Sequence, residues 1–261
     1  AVVGEQGLGD VVFFLRYAPL LRARGARLDF FGEPRLHGML ARTGLFEKLA
    51  ARSDSPRADG AIEILAGDLP LLAPEAQSPA SVPAPLPLRA DPARVAAIRE
   101  RLHALGPPPH IGIAWRSGEP RVGLFETLFK EVPLDGLGLA LRERRATLVS
   151  VQRAPGPVET ESVASHAQRP VHDLSALNAD LEDALALMSV LDDYVGVSST
   201  NVHLRAGAGR ASRVLVPFPY EWRWMREGAS PWFPGTTVLR QSATGSWSDA
   251  FTQLMQGADI Q

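Results

Sequence analysis

Cysteine is absent from the 261 residues, which removes disulfides, thiolate metal sites and cysteine nucleophiles together. An excess of one charge is missing too: 27 Lys+Arg against 29 Asp+Glu leave a net charge of −2. A chain so balanced offers no broad surface for nucleic acid or an anionic membrane, although a local basic pocket is compatible with it. No apolar run reaches the length of a membrane span and no charged-then-apolar leader opens the sequence, so a soluble, cytoplasmic protein is the expectation. The six histidines (37, 103, 110, 166, 172 and 203) lack metal-ligand spacing. There is no GxSxG elbow, Walker loop or HExxH.

What is present is a globular composition, 45% hydrophobic and 21% charged, long enough for one large or two modest domains. The chain opens almost inside a strand (Ala1, Val2, Val3), which predicts a longer parent protein. Val2 and Val3 run into GEQGLGD, Gly4 to Asp10. Its GxxGxG spacing only imitates the GxGxxG dinucleotide fingerprint. Val11, Phe14, Leu15, Ala18 and Leu21 then recur at helical spacing, with Arg16, Arg22 and Arg24 on the other side. Pro19 should kink this helix or mark its last turn. Gly25 ends it, and Leu28 to Phe31 supplies the next strand. Leu36 to Leu40 reads as a short helix and Ala61 to Leu65 as a strand.

Prolines crowd residues 74 to 92, a density that excludes regular helix or central strand and suggests an ordered crossing or linker. Asp91 caps a helix with Pro92 at its first position, running to Leu105. Gly106 and three prolines stop it. The boundary falls there, giving domains 1–106 and 107–261.

The rhythm then restarts: a strand His110 to Trp115, a helix around Leu134 to Arg144, a strand Thr147 to Gln152, and a helix opened by Asp180 and Asp183. The central stretch is Tyr194 to Gly209, YVGVSSTNVHLRAGAG. A β-branched run stops in Ser198, Ser199, Thr200 and Asn201, and a helical segment carrying His203 follows. A helix N-terminus lined by hydroxyls attracts an anion. The plainer alternative is a Ser/Thr/Asn cap beside a packed histidine. Arg213 to Pro217 reads as another strand. Tyr220, Trp222, Trp224, Trp232, Phe233 and Trp247 form an aromatic region that either covers a cleft or packs a loop onto its own domain. Ser246 to Met255 closes the chain as a helix that can return to the N-terminal lobe. An α/β fold with two Rossmann-like lobes facing a cleft is the simplest architecture, with ligands at the carboxyl ends of the strands.

These segments, taken in order as GEQGLGD, IGIAW, VSVQ, the histidine-bearing helix and VLVPFPYEWRWM…SPWFPG…RQ, resemble glycosyltransferase family nine. The closer likeness is to the heptosyltransferase-like branch found C-terminal to tetratricopeptide repeats. The resemblance implies the GT-B fold and transfer of a sugar from a nucleotide-diphosphate sugar to a glycan or protein acceptor, inverting and without a metal or other cofactor. It makes Asp10 the general base, with Glu5 and Gln6 as acceptor contacts. It puts Arg116, Ser117, Lys130, Gln152, Ser199, Thr200, Asn201 and His203 on the donor. Asp10 as a helix-cap carboxylate, and Arg121 on a solvated basic face, are the plain readings. Family members commonly carry an aspartate where this chain has Ser198. That departure favours the alternative of a catalytically degenerate scaffold module beside the repeats. An epimerase of the same fold would need an acid/base pair, and only Asp10 is clearly placed.

Overall fold

The structure is a computed structural model. It describes residues 1–54, 62–76, 78, 80–118, 129–156 and 158–257, and the backbone at 121–122 and 125–126. The first sheet is parallel and short: β1 (Val2–Val3), β2 (Asp29–Phe31), β3 (Lys48–Ala50) and β4 (Ile64–Leu65), in the order β3-β2-β1-β4. Ala61, placed in the fourth strand by the sequence, lies outside the described residues.

Between β1 and β2 the predicted single helix is divided. Helix α1 (Leu8–Phe14) passes through a 3₁₀ turn, Leu15–Tyr17, into α2 (Ala18–Ala23). Pro19 lacks the N–H that would bond the Leu15 carbonyl, so the α ladder breaks one turn before it and restarts around it. Helix α3 (His37–Ala41) follows β2. The proline-rich segment from 80 to 90 has no helix or strand. It buries Leu86 and Leu88, and the Leu88 N–H bonds the Gly207 carbonyl at 2.8 Å, so it crosses onto the second half of the molecule.

Helix α4 (Pro92–Leu105) begins as the sequence predicts, with the Asp91 carboxylate accepting from the N–H groups of Ala93 and Arg94. Strand β5 (His110–Ala114) leads the second sheet. Beyond it come the short strands β6 (Arg116–Ser117), β7 (Arg121–Val122), β8 (Phe125–Glu126) and β9 (Lys130–Glu131), then α5 (Leu134–Leu141). The side chain of Arg121 lies outside the described residues. The remainder is β10 (Thr147–Ser150), α6 (Glu159–Ala167), β11 (Val171–Asp173), α7 (Leu181–Val190), β12 (Asp193–Val197), α8 (Thr200–Gly207), β13 (Arg213–Val216), β14 (Thr237–Arg240) and α9 (Ser248–Gln256).

The second sheet is wholly parallel, in the order β11-β10-β5-β12-β13-β14. Numbered within the lobe this is 3-2-1-4-5-6, the doubly wound order whose direction reverses between β5 and β12. Both faces are covered, and the two central strands, β5 and β12, are buried along their whole length. Ile111, Ile113, Val195, Val197 and Leu215 face α5 and α9, while Ala114, Val149, Tyr194 and Val214 face the opposite way. Helix α9 packs on α5 and β14 of the second lobe, rather than making the return to the first lobe that the sequence allowed.

That opposite side is continuous with the first lobe. One buried apolar cluster runs from Val2, Phe13 and Leu36 through Leu86 and Leu88 to Leu185, Val202 and Val214. Helix α4, assigned by sequence to the first domain, packs on α7, with Arg94 paired to Asp180 and Asp183 at 2.7 and 2.6 Å. Arg42 of the first lobe pairs with Glu182. Among the described residues no helix is long and apolar enough to cross a membrane.

Candidate active site in the cleft

At the reversal point of the second sheet lies a cavity of about 320 Å³. The loops after β5, β10 and β12 line it with Arg116, Ser117, Gln152, Ser199, Thr200 and Asn201. Six of the eight donor-side residues named from the sequence therefore share one hollow, where the doubly wound topology opens a crevice. Helix α8 begins on its wall. Ser199 occupies the N-cap position without a side-chain cap bond, and its hydroxyl is buried without a partner. The wholly buried Tyr194 hydroxyl approaches Ser199 and Asn201 without reaching hydrogen-bond geometry, and burial pushes its phenol up to about 12. Asn201 donates to Asn178 Oδ1 at 3.1 Å, and Asn178 in turn donates to the Val151 and Ser175 carbonyls.

Two cavity residues are engaged in ways the sequence did not announce. Gln152 Oε1 accepts from the N–H groups of Trp115 and Arg116 at 3.0 and 2.9 Å, and its amide donates to the Arg153 carbonyl. This buried side chain shapes the wall of the hollow. Arg116 is held by Glu159 through Nε and Nη2, both at 3.0 Å, and also donates to the Ala154 carbonyl. Glu159, missed by sequence reasoning, also accepts from Trp115 Nε1 and the Gly156 N–H. Burial raises its carboxyl, but the Arg116 pair and the N–H donors outweigh it and hold it below the usual range. Arg153, exposed on the rim, has no acidic partner among the described residues.

Lys130 and His203 are not on the cavity wall. Lys130 lies opposite Ser117 in the antiparallel β6–β9 pair, with Nζ 3.2 Å from Glu221 Oε2. Ser198 lines a narrow pocket with this Lys130–Glu221 pair and Trp224. His203 is sealed between Phe13 and Phe233, at ring distances of 5.9 and 5.3 Å, and its Nδ1 has no partner. Burial first, then Arg223, Arg16 and Lys130 nearby, keep this imidazole well below its ordinary range and neutral. The packed-histidine alternative describes this geometry.

Across the cleft, the first turn of α1 meets the first turn of α8. A Cβ on Gly9 would come 2.8 Å from His203 Cδ2 and 3.4 Å from Thr200 Cα, so only glycine permits this approach. Asp10, the next residue, is not the N-cap, which is Gly7. Its Oδ1 accepts from Arg223 Nη2, and Arg223 also binds Glu221. Glu5 accepts from the N–H groups of Ala66 and Gly67 at 3.1 and 3.2 Å, so it holds its own lobe together, while Gln6 beside it is exposed.

Arg16, expected on the polar side of its helix, is instead buried at the lobe junction. It donates to the Phe13 and Trp232 carbonyls, stands 4.1 Å over the Phe13 ring, and is pulled down to about 10 by burial. Most of the aromatic region packs: Trp224 is buried and stacks on Phe233 at 4.6 Å, and Trp247 stacks on Phe251. Among these aromatics Trp222 stands half exposed, beside Phe13 and Trp232, as does the neighbouring Phe218. Among the described residues no cluster of three or more histidine, aspartate or glutamate side chains is arranged to hold a metal.

Two lobes with parallel sheets, and a cavity at the reversal point of the second sheet, match the GT-B class of α/β proteins. The chain superposes on the glycosyl transferase family 9 structure from Veillonella parvula DSM 2008 with a TM-score of 0.65 at 14% identity, covering 92% of this chain and 85% of that one. It superposes on E. coli ADP-heptose LPS heptosyltransferase II with a TM-score of 0.63 at 14% identity, covering 98% of both. The E. coli heptosyltransferase WaaC with ADP gives 0.53 at 12% identity, over 98% of this chain and 96% of that one. In sequence, Protein FlbA of Caulobacter vibrioides is 28% identical over 94% of this chain, which spans 44% of that relative's length. No protein-family model matches the chain.

Proposed function

We propose that this chain is a glycosyltransferase domain. It moves a sugar from a nucleotide-diphosphate sugar to an acceptor hydroxyl, with inversion and without a metal. The observation that carries the reading is the convergence of Arg116, Ser117, Ser199, Thr200 and Asn201 on one cavity at the sheet's reversal point, on a fold held in common with family 9 transferases. In this reading Asp10 takes the proton of the acceptor hydroxyl as its oxygen bonds to the anomeric carbon. The bond from that carbon to the diphosphate oxygen breaks, and the leaving group departs toward the first turn of α8. The N-terminus of α8 with Ser199 and Thr200 on the wall, Arg153 on the rim, and Lys130 paired in register with Ser117 offset the growing negative charge. Gln152 fixes the loop backbone, a role that replaces direct contact with the nucleotide. Tetratricopeptide repeats in the parent chain and a cytoplasmic setting belong to the same proposal.

Binding of ADP, UDP, GDP and CDP, followed by calorimetry, tests the donor half. Binding of one of them is expected, weakened at least ten-fold in Thr200→Val. Absence of binding by all four removes the reading. One observation favours the alternative of a degenerate scaffold: Glu159 neutralises Arg116, the cation sequence reasoning put on the phosphate. A scaffold binds nucleotide weakly or not at all and turns over no donor.

A further inference from the structure

We propose that Arg223 and Glu221 are positioning residues in a relay that connects an anion bound in the second-lobe cavity to the carboxylate of Asp10. The proposal rests on the sugar-transfer reading above. Four ionised side chains alternate in sign across the cleft. Asp10 binds Arg223 Nη2, Arg223 Nη1 binds Glu221 Oε1, and Glu221 Oε2 stands 3.2 Å from Lys130 Nζ. The middle of the series is shielded from water, with Arg223 and Glu221 side chains 10% and 12% exposed against 33% for Asp10. Unscreened charges at such distances are strongly coupled, so a change at one end is felt at the other.

Lys130 is the end nearer the cavity, although its own side chain is not on the wall. It sits in register with Ser117, which lines the cavity. At the other end the guanidinium of Arg223 lies 4.6 Å over Phe13 and 4.8 Å from the Trp222 ring, and its Nε has no partner. Flat aromatic neighbours let the guanidinium slide in its plane without losing contact area. The other charged groups here do not compete: Arg16 is satisfied by carbonyls and His203 is neutral.

The sequence of events follows from sharing. Glu221 divides itself between Lys130 and Arg223, and Arg223 divides itself between Glu221 and Asp10. A diphosphate in the cavity gives Lys130 a second anion to serve. Glu221 then takes a larger share of Arg223, and Asp10 loses its guanidinium partner. A carboxylate freed in this way can accept an acceptor proton, so the base becomes available only once donor is present. Transfer to water in the absence of donor binding is not at issue. What the relay prevents is a base occupied by arginine while donor and acceptor wait.

The test uses the full chain labelled with ¹⁵N-arginine, with the Arg223 signals identified by their absence in Arg223→Lys. Two different carboxylates hold Nη1 and Nη2, so these give separate resonances. ADP, UDP, GDP and CDP are added in turn while calorimetry reports binding. The relay predicts loss of the separate Nη2 resonance on binding, the same loss without nucleotide in Lys130→Met, and no loss on binding in Glu221→Gln. Should Lys130→Met fail to fold, the wild-type and Glu221→Gln titrations decide. Nucleotide that binds while the Nη2 resonance stays, or a loss that persists in Glu221→Gln, overturns the relay and leaves the donor reading intact. No binding by any nucleotide overturns the donor reading, and the relay goes with it.

Discussion

Two turns of the same design, each a strand running through a small-residue loop into a helix, meet head to head in this molecule. In the first, from β1 to α1, both carboxylates are occupied. Glu5 is spent on Ala66 and Gly67, Asp10 on Arg223, and Gly9 is pressed against His203. In the second, from β12 to α8, the N-cap side chain makes no cap bond, the Ser199 hydroxyl is buried without a partner, and a cavity of about 320 Å³ stands in front. Identical local grammar thus yields a filled turn and an open one. Among the described residues only the open one has a cavity beside it, while the carboxylates of the filled one are held by Arg223 and by the Ala66 and Gly67 N–H groups.

The strongest way to break this contrast is Asp10→Asn. Loss of a general base should reduce turnover about 10²–10⁴-fold while nucleotide affinity holds. Initial rates with a turned-over donor check it, and a change under ten-fold would return Asp10 to a purely structural place. Next comes Gln152→Leu, which strips the acceptor from the Trp115 and Arg116 N–H groups. Each orphaned donor costs about 1–3 kcal/mol, read by urea unfolding, with nucleotide affinity falling alongside.

Gly9→Ala forces a methyl group to within 2.8 Å of His203, and should cost about 1–3 kcal/mol of stability through overpacking. Smaller still is a pH effect. His203 is held neutral when folded and titrates near 6.5 when unfolded. The unfolded state therefore gains a proton first as pH falls below 6.5, and stability present above that pH drops by at most about 1.4 kcal/mol per unit. His203→Phe should flatten that slope in unfolding curves taken between pH 7 and 5. Least of all, Ser199→Ala should leave stability within about 0.5 kcal/mol, since its hydroxyl bonds nothing. The same change should weaken nucleotide binding, and that split sharpens the comparison.

Much of this was legible beforehand. The switch from β-branched runs to helical spacing marked β5, β10, β12 and α8, because parallel strands covered on both faces must be apolar throughout. Asp91–Pro92 and Asp180 announced helix starts through capping chemistry that depends only on local sequence. Arg116, Ser117, Ser199, Thr200 and Asn201 could be gathered because strand-end loops of a doubly wound sheet converge by topology. The failures have a common cause. The helical pattern puts Arg16 on a polar face, and the resemblance puts Arg116 on the donor without Glu159, because neither Trp232 nor Glu159 is near in sequence. Glu221 and Arg223 carry no local signal, since their partners Lys130 and Asp10 are far away in sequence. Strands β11 and β14 escaped notice because edge strands flanked by polar residues carry little periodic signal.

The continuous apolar layer that joins the lobes has a consequence for how this protein can be dissected. A cut after Gly106 would leave Leu88 and Leu102 on one piece and Leu185 and Val202 on the other, all of them now wet. Neither fragment has a complete interior of its own, so expressed halves should aggregate or fold only when mixed. For the same reason the shared apolar layer resists a wide hinge motion of one half against the other.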